Sequence, residues 1–252
     1  MIIPIYQLTL PEWMSSRITD LSEKTTEILR RVHEDFGSSV VFLTSLGAED
    51  MVITSILDNA RIPVRHVTID TGRLPSETYE VMDLLRTRYK IALEVKFPER
   101  VAVEDMVREK GVNLFYESRE NRELCCGVRK VEPLNRILKD ARAWITGIRG
   151  DQTKVRAEAS HVEIDNAHGG ITKVNPLLDW KAEEIWEYIS ENMVPYNRLY
   201  DRGYRSIGCF PCTRAVNPGE SERSGRWWWE TGIKECGLHM NTGKIQIEVR
   251  EA

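Results

Sequence analysis

The stretch SVVFLTSLGAED (39–50) decides the architecture. Its first part, SVVFLTSL (39–46), is a β-branched apolar run of the kind that forms a strand buried on both faces of a parallel sheet. Its second part is a small-residue loop that opens a helix over about 49–59. The alternation repeats downstream. VRHVTID (64–70) reads as a strand, TGRLP (71–75) as a turn and 76–89 as a helix. IALEVKF (91–97) reads as a strand, VAVEDMVREK (101–110) and a stretch around 129–140 as helices, and AWITGI (143–148) as a fourth strand. Strands alternating with helices imply right-handed βαβ units, hence an α/β fold with a mostly parallel, Rossmann-like sheet.

Upstream, Ile18, Leu21, Ile28, Leu29, Val32 and Phe36 recur at helical spacing and stop at Gly37, so 1–38 reads as an N-terminal helical segment with a structural role. Beyond 150, VEID (162–165) and ITKVNPL (171–177) read as short strands around an Asn-Ala-His-Gly-Gly turn. KAEEIWEYISEN (181–192) reads as an amphipathic helix whose Glu/Lys-rich face is solvated. The division is therefore 1–38, an α/β domain over 39–217, and a C-terminal tail over 218–252 that is expected to be mobile.

A chain of 252 residues suits one such domain with an appended segment. With 41% hydrophobic and 29% charged residues it fits neither a disordered nor a membrane class. No apolar run approaches the ~20 residues of a membrane span, and MIIPIYQLTLPEW lacks the marks of a signal peptide. The 35 basic and 39 acidic residues leave a net charge of −4, so no global electrostatic case for nucleic acid exists.

Ligands of open parallel sheets sit at the carboxyl ends of strands. Three such loops carry suggestive chemistry: SLGAED (45–50), whose N–H groups and helix dipole suit an anion; Asp70-Thr71-Gly72-Arg73; and TGIRGDQ (146–152). Each alone reads as an ordinary glycine turn. Together, expected on alternate strands of one sheet, they point to a nucleotide-shaped ligand.

The five cysteines are Cys125, Cys126, Cys209, Cys212 and Cys236. The odd count and the adjacent pair argue against a disulfide framework and for a reducing cytoplasm. Cys125-Cys126 and Cys209-x-x-Cys212 supply four thiolates. Neighbouring side chains diverge around one small ion, so the pair favours a [4Fe–4S] cluster; a zinc site or four buried free thiols are the alternatives. Cys236 stands in a glycine-flanked polar stretch, with Lys234 and His239 to stabilise a thiolate and Arg223 and Arg226 upstream to clamp an anion. It reads either as an incidental surface cysteine or as a nucleophile. If four cysteines hold a cluster, Cys236 has no internal partner, and a two-electron reduction through it needs an external dithiol protein, thioredoxin or glutaredoxin. Trp227-Trp228-Trp229 reads as packing that anchors the tail, and His33, His66, His161 and His168 as ordinary histidines.

SLGAED (45–50), IDTGRLPSETY (69–79), CCGVRKVEPL (125–134), TGIRGDQTKVRA (146–157), NPLLDW (175–180), RGYRSIGCFPCT (202–213) and KECGLH (234–239) also resemble a known family. It is the assimilatory phosphosulfate reductases, in their iron–sulfur, adenylyl-sulfate (APS) branch. The resemblance implies a fold of the adenine-nucleotide α-hydrolase type with a C-terminal catalytic tail. It implies reduction of APS to sulfite and AMP with reduced thioredoxin through a thiosulfonate on Cys236. It assigns the cluster to Cys125, Cys126, Cys209 and Cys212, and a charge link between cluster and substrate to Lys130. Arg156, Arg223 and Arg226 would bind phosphosulfate, Ser45, Gly47, Ile69 and Gly147 the nucleotide, and His239 would stand beside the nucleophile. It further implies a cytoplasmic homo-oligomer that binds neither nucleic acid nor membrane.

Three other readings compete. The 3′-phosphorylated substrate, PAPS, alone or alongside APS, needs only a local basic subsite. A tRNA sulfur-transfer enzyme of the ATP pyrophosphatase type would need an SGGxDS-like loop where this chain has SLGAED. A zinc-binding interaction module would leave Cys236, the arginines and the strand-end loops unexplained.

Overall fold

Val40 and Phe42 point to one side of their strand and Val41 to the other, and both sides are buried, as the apolar run requires of a central strand. The structure, a computed structural model, describes residues 12–231. Its elements are α1 (Glu12–Phe36), β1 (Val40–Leu43), α2 (Ala48–Asn59), β2 (Arg65–Ile69), α3 (Ser76–Arg88), β3 (Glu94–Lys96), α4 (Arg100–Lys110) and α5 (Arg119–Cys126). They continue with α6 (Glu132–Leu138), β4 (Ala143–Ile145), β5 (Val162–Asp165), β6 (Ile171–Val174) and α7 (Ala182–Glu191). A π-helical turn, Gly127–Val131, joins α5 to α6.

The strands form one sheet in the order β3-β2-β1-β4-β6-β5. All neighbours are parallel except β5, which pairs antiparallel with β6. The chain steps from β1 to β2 on one side, and β4 adds on the other. The crevice between the ends of β1 and β4 is therefore a topological switch point. The three loops singled out above follow β2, β1 and β4, which are adjacent strands and not alternate ones; this brings the loops closer together than the sequence reading supposed.

Helices α1, α2, α3 and α7 cover one face through Ile18, Leu29, Met51, Ile53, Leu85 and Ile185. Helix α6 covers the other, where Leu134, Ile137 and Leu138 meet Val41, Val67 and Trp144. The α1 stripe docks as its periodicity predicts, and Trp180 Nε1 donates to the buried Thr25 hydroxyl at 3.0 Å. On α7 the solvated face is narrower than expected, because Glu184 and Glu187 are buried. Glu184 accepts from the Lys181 N–H at the helix start and pairs with Arg17. Strands are shorter than their apolar runs. The strand expected over 171–177 ends at Val174, and just beyond it the Asn175 side chain donates to the Ser160 carbonyl and Glu163 and accepts from the Thr146 hydroxyl.

Helix α5 has no counterpart in the sequence reading, which placed a single helix around 129–140. Its RENRELCC sequence lacks an apolar stripe: Leu124 is exposed, and the buried face carries Arg122 and Cys125.

Candidate active site

The 45–50 loop links β1 to α2 at the carboxyl end of the sheet. Leu46 takes a left-handed φ of 62°, and Gly47 leads into α2. The Ser45, Leu46 and Ala48 N–H groups and the Ser45 hydroxyl are already engaged. Asp50 Oδ2 accepts from the Ser45 N–H at 2.5 Å and the Ser45 hydroxyl at 2.7 Å. The Leu46 N–H goes to Thr44 Oγ1 and the Ala48 N–H to the Tyr200 hydroxyl, each at 3.0 Å. The Asp50 carboxylate thus takes up the Ser45 donors at the start of the loop. Burial, with a lesser push from Glu49, raises the Asp50 carboxyl to about 6. Gly147 is required here, since a Cβ on it would stand 2.0 Å from Asp50 Oδ1.

Ser45, Gly47, Ile69, Gly147, Arg156, Arg223, Arg226 and Lys130 all line one cavity at the carboxyl ends of β1, β2 and β4. The structure therefore brings together every nucleotide- and anion-site residue named from sequence within the described region. It adds Gln152, Tyr200, Arg205 and Glu222, which sequence reasoning did not assign. Arg205 lies inside the quoted RGYRSIG segment, so a basic side chain between two glycines was the signal available for it.

A buried ion network supports this cavity. Arg149 reaches Glu49 Oε1 at 2.9 Å, Asp151 Oδ1 at 2.5 Å and Glu222 Oε2 at 2.8 Å through three different nitrogens. Gln152 donates to Glu49 Oε1 at 2.9 Å and accepts from the Arg149 N–H and from Arg156. One guanidinium therefore ties the first turn of α2, the β4 loop and the segment carrying Arg223 and Arg226.

Cys125, Cys126, Cys209 and Cys212 line a second, smaller cavity together with Arg73, Arg122, Arg129, Lys130 and Arg226. The π-helical turn after Cys126 shifts the helical register between the cysteine pair and Arg129-Lys130. Thr71, at the end of β2, places its hydroxyl 3.3 Å from Cys209 Sγ, and its carbonyl accepts from Arg129 at 2.6 Å. Burial raises the Cys209 thiol, but Lys130, Thr71 and Arg226 outweigh it and hold the group below its ordinary value. Burial and neighbouring Cys209 push Cys212 up to about 12. Arg129 Nε and Arg226 Nε are buried without a hydrogen-bond partner among the described residues. Among those residues, no group of three or more His, Cys, Asp or Glu is arranged to hold a single metal ion. Lys130 and Arg226 line both cavities and form the wall between them.

Residues 218–231 pack back onto the domain, so the boundary expected at 217/218 is not a break in packing. Trp227 is buried with φ 41°, its N–H donates to the Cys212 carbonyl, and the Arg122 and Arg226 guanidinium carbons lie 4.7 and 4.8 Å from its ring centroid. Trp229 packs on Phe115 and Tyr116, and Glu230 pairs with Arg122 at 2.8 Å. Cys236 and His239, with Lys234, lie outside the described residues.

No described helix is long and apolar enough to cross a membrane. The phosphoadenosine phosphosulfate reductase domain model matches residues 39–215. The adenosine 5′-phosphosulfate reductase of Allochromatium vinosum is 47% identical over 232 residues, covering 92% of this chain and 87% of that protein. Its namesake in Neisseria meningitidis serogroup B is 45% identical over 234 residues, covering 91% and 95%. Among solved structures, the phosphoadenylyl-sulfate reductase of Candida auris superposes with a TM-score of 0.65 at 28% identity, covering 83% of this chain and all of that one. The Candida glabrata FMN adenylyltransferase shares the fold at 17% identity with a TM-score of 0.60, covering 84% and 70%. The sheet, the strand-end cavity and these matches agree, and the chain belongs to the phosphoadenosine phosphosulfate reductase family, alongside the bacterial adenosine 5′-phosphosulfate reductases.

Proposed function

We propose that the protein reduces adenylyl sulfate to sulfite and AMP, with a dithiol protein of the thioredoxin type as reductant. The observation that carries this reading is the wall formed by Lys130 and Arg226, which puts the cavity at the strand ends directly against the four-cysteine cavity. The adenine and ribose would lie over Ile69 and Gly147, and the phosphosulfate would face Lys130, Arg156, Arg223 and Arg226. The 47% identical relatives named for the APS reaction support APS over PAPS.

In the proposed reaction the Cys236 thiolate attacks the sulfate sulfur. The S–S bond of an enzyme thiosulfonate forms, the S–O bond to the phosphate breaks, and AMP leaves with the electron pair. A thioredoxin thiolate then attacks the Cys236 sulfur and expels sulfite. Thioredoxin's second thiol resolves the mixed disulfide, so one dithiol supplies both electrons and Cys236 returns as a thiol. Lys130 and the arginines bind and orient the anion and stabilise charge developing on the leaving phosphate.

Cys125, Cys126, Cys209 and Cys212 would hold a [4Fe–4S] cluster. Four cysteine sulfurs around one cavity, five cationic side chains about it and the unpartnered Arg129 and Arg226 Nε donors suit an anionic, sulfide-bearing group. A polynuclear cluster needs its sulfurs spread around a cavity, not drawn onto one point. When bound, such a cluster supplies fixed negative charge beside Lys130 and a rigid frame for residues 209–212. The test is Cys236→Ser: iron content and visible absorbance are retained while sulfite release is lost, whereas full turnover would remove Cys236 from the mechanism.

A further inference from the structure

Leu114, Phe115, Met106 and Trp227 form a small core with Cys125, Cys209 and Cys212, apart from the main one. Four large apolar side chains around that core face outward. Val112 is 57% exposed, Tyr116 45%, Phe210 62% and Trp228 39%. One run of contacts joins them. Arg73 Nη1 donates to the Val112 carbonyl at 2.5 Å, and the Arg73 carbonyl accepts from the Phe210 N–H at 2.8 Å. The Tyr116 hydroxyl donates to the Pro211 carbonyl at 2.8 Å, and its ring centroid lies 6.3 Å from that of Trp228. Exposed apolar residues scattered singly need no explanation, whereas a contiguous patch of aromatic rings marks an interaction surface. None of the four lines the substrate cavity or the cysteine cavity, so neither the substrate nor a group held by the cysteines covers them.

We infer that the patch of Val112, Tyr116, Phe210 and Trp228 is the docking surface for the dithiol protein that reduces the enzyme. The inference rests on the reductase reading and deepens it by locating the partner on the chain. Its occupant follows from reach. Trp228 stands three residues before Thr231, and Cys236 follows Thr231 by five, which extended backbone spans over at most about 18 Å. A protein whose thiolate attacks the Cys236 sulfur therefore sits over the end of the described chain. An ordinary footprint of about 800 Å² on each partner is ~30 Å across, wide enough to bring its rim onto Trp228 and the rings beside it. Aromatic side chains already held by neighbours lose little freedom on binding and supply most of the energy of such contacts.

The test is steady-state sulfite release by the full-length, anaerobically purified protein at saturating APS with thioredoxin varied, in the parent, in Trp228→Ser and in Val112→Asp. Both positions lie outside the 209–212 segment, and Val112→Asp carries the test if Trp228→Ser fails to fold or loses iron. The expected result is a KM for thioredoxin about tenfold higher in Trp228→Ser, the cost of one aromatic anchor, and a higher one in Val112→Asp. The KM for APS and kcat at saturating thioredoxin stay at the parent's values. An unchanged KM for thioredoxin in every variant that folds overturns the inference. A lower kcat at saturating thioredoxin, or a higher KM for APS, in those variants overturns it as well, because the patch then seats this chain's own residues 232–252. A lower molar mass of the variants by light scattering assigns the patch to a second copy of the chain and also overturns it. If the parent releases no sulfite from APS with thioredoxin, the reductase reading fails; a working parent with unchanged variants fails the docking surface alone.

Discussion

Arg149 Nη2 lies 2.8 Å from Glu222 Oε2, joining two residues 73 positions apart in the chain. Glu222 precedes Arg223 directly, so this contact sets where the segment bearing Arg223 and Arg226 meets the substrate cavity. Arg149→Met would leave Glu49, Asp151 and Glu222 without their shared cation and cost about 3–5 kcal/mol of stability, measurable by urea denaturation. Glu222→Ala leaves Arg149 with two carboxylates and should cost much less stability. It is expected instead to raise KM for the nucleotide substrate more than it lowers kcat. An unchanged KM would show that the contact does not position the arginines.

Asp50 makes a sign-specific pH prediction. Its carboxyl stands at about 6 in the folded chain, against about 3.8 for an unperturbed aspartate. The folded state therefore holds the proton more tightly, and the contribution is fully present below pH 3.8 and lost as pH rises through 6. In the stability difference between the protein and Asp50→Asn, the other titrating groups, including Glu49, Glu222 and Tyr200 nearby, largely cancel. Wild-type stability relative to the variant should fall by about 2 kcal/mol between pH 4 and pH 7. A flat difference would mean that the carboxylate is stabilised by contacts as strong as its burial.

Gly208 gives a geometric test of the wall between the cavities. A Cβ at this position would stand 2.3 Å from Arg226 Nη2, so Gly208→Ala must displace the guanidinium. The expected result is about a tenfold rise in substrate KM, the loss of one charge-assisted contact. Because Arg226 also lines the cysteine cavity, the visible spectrum of the iron-loaded variant should shift as well. An unchanged KM would place the substrate elsewhere.

The cysteine assignment is tested residue by residue. Cys125→Ser, Cys126→Ser, Cys209→Ser and Cys212→Ser should each lower bound iron and sulfide in anaerobically prepared protein. The parent should carry about four irons per chain. One zinc per chain in place of iron would contradict the cluster.

Much of this site is legible in the sequence because its residues sit in short local motifs. The strand run 39–46 sets the central strand, Ile69 ends β2 and Gly147 lies just beyond β4, strands that the apolar runs identify. The four cysteines are named by spacing alone. What was not legible is relational. An acidic residue in the first turn of α2 reads as ordinary complementing of the helix dipole, and nothing local tells that Asp50 turns back to fill its own loop. Arg149 and Glu222 carry no mutual signal across 73 residues. Helix α5 escaped because its buried face is made of Arg122 and cysteine, whose packing answers to the second cavity and not to hydrophobic periodicity. The packing of residues 218–231 escaped for a similar reason, since Trp227 is held between charged groups contributed by α5 and by its own segment.

The most direct test of the central claim is sulfite release by anaerobically purified protein with reduced thioredoxin, comparing APS and PAPS at equal, low concentration. The account predicts sulfite and AMP from APS, with PAPS turned over at least about tenfold more slowly. Equal rates would contradict the substrate assignment, and absence of sulfite from either, in protein with its iron intact, would contradict the reductase reading itself.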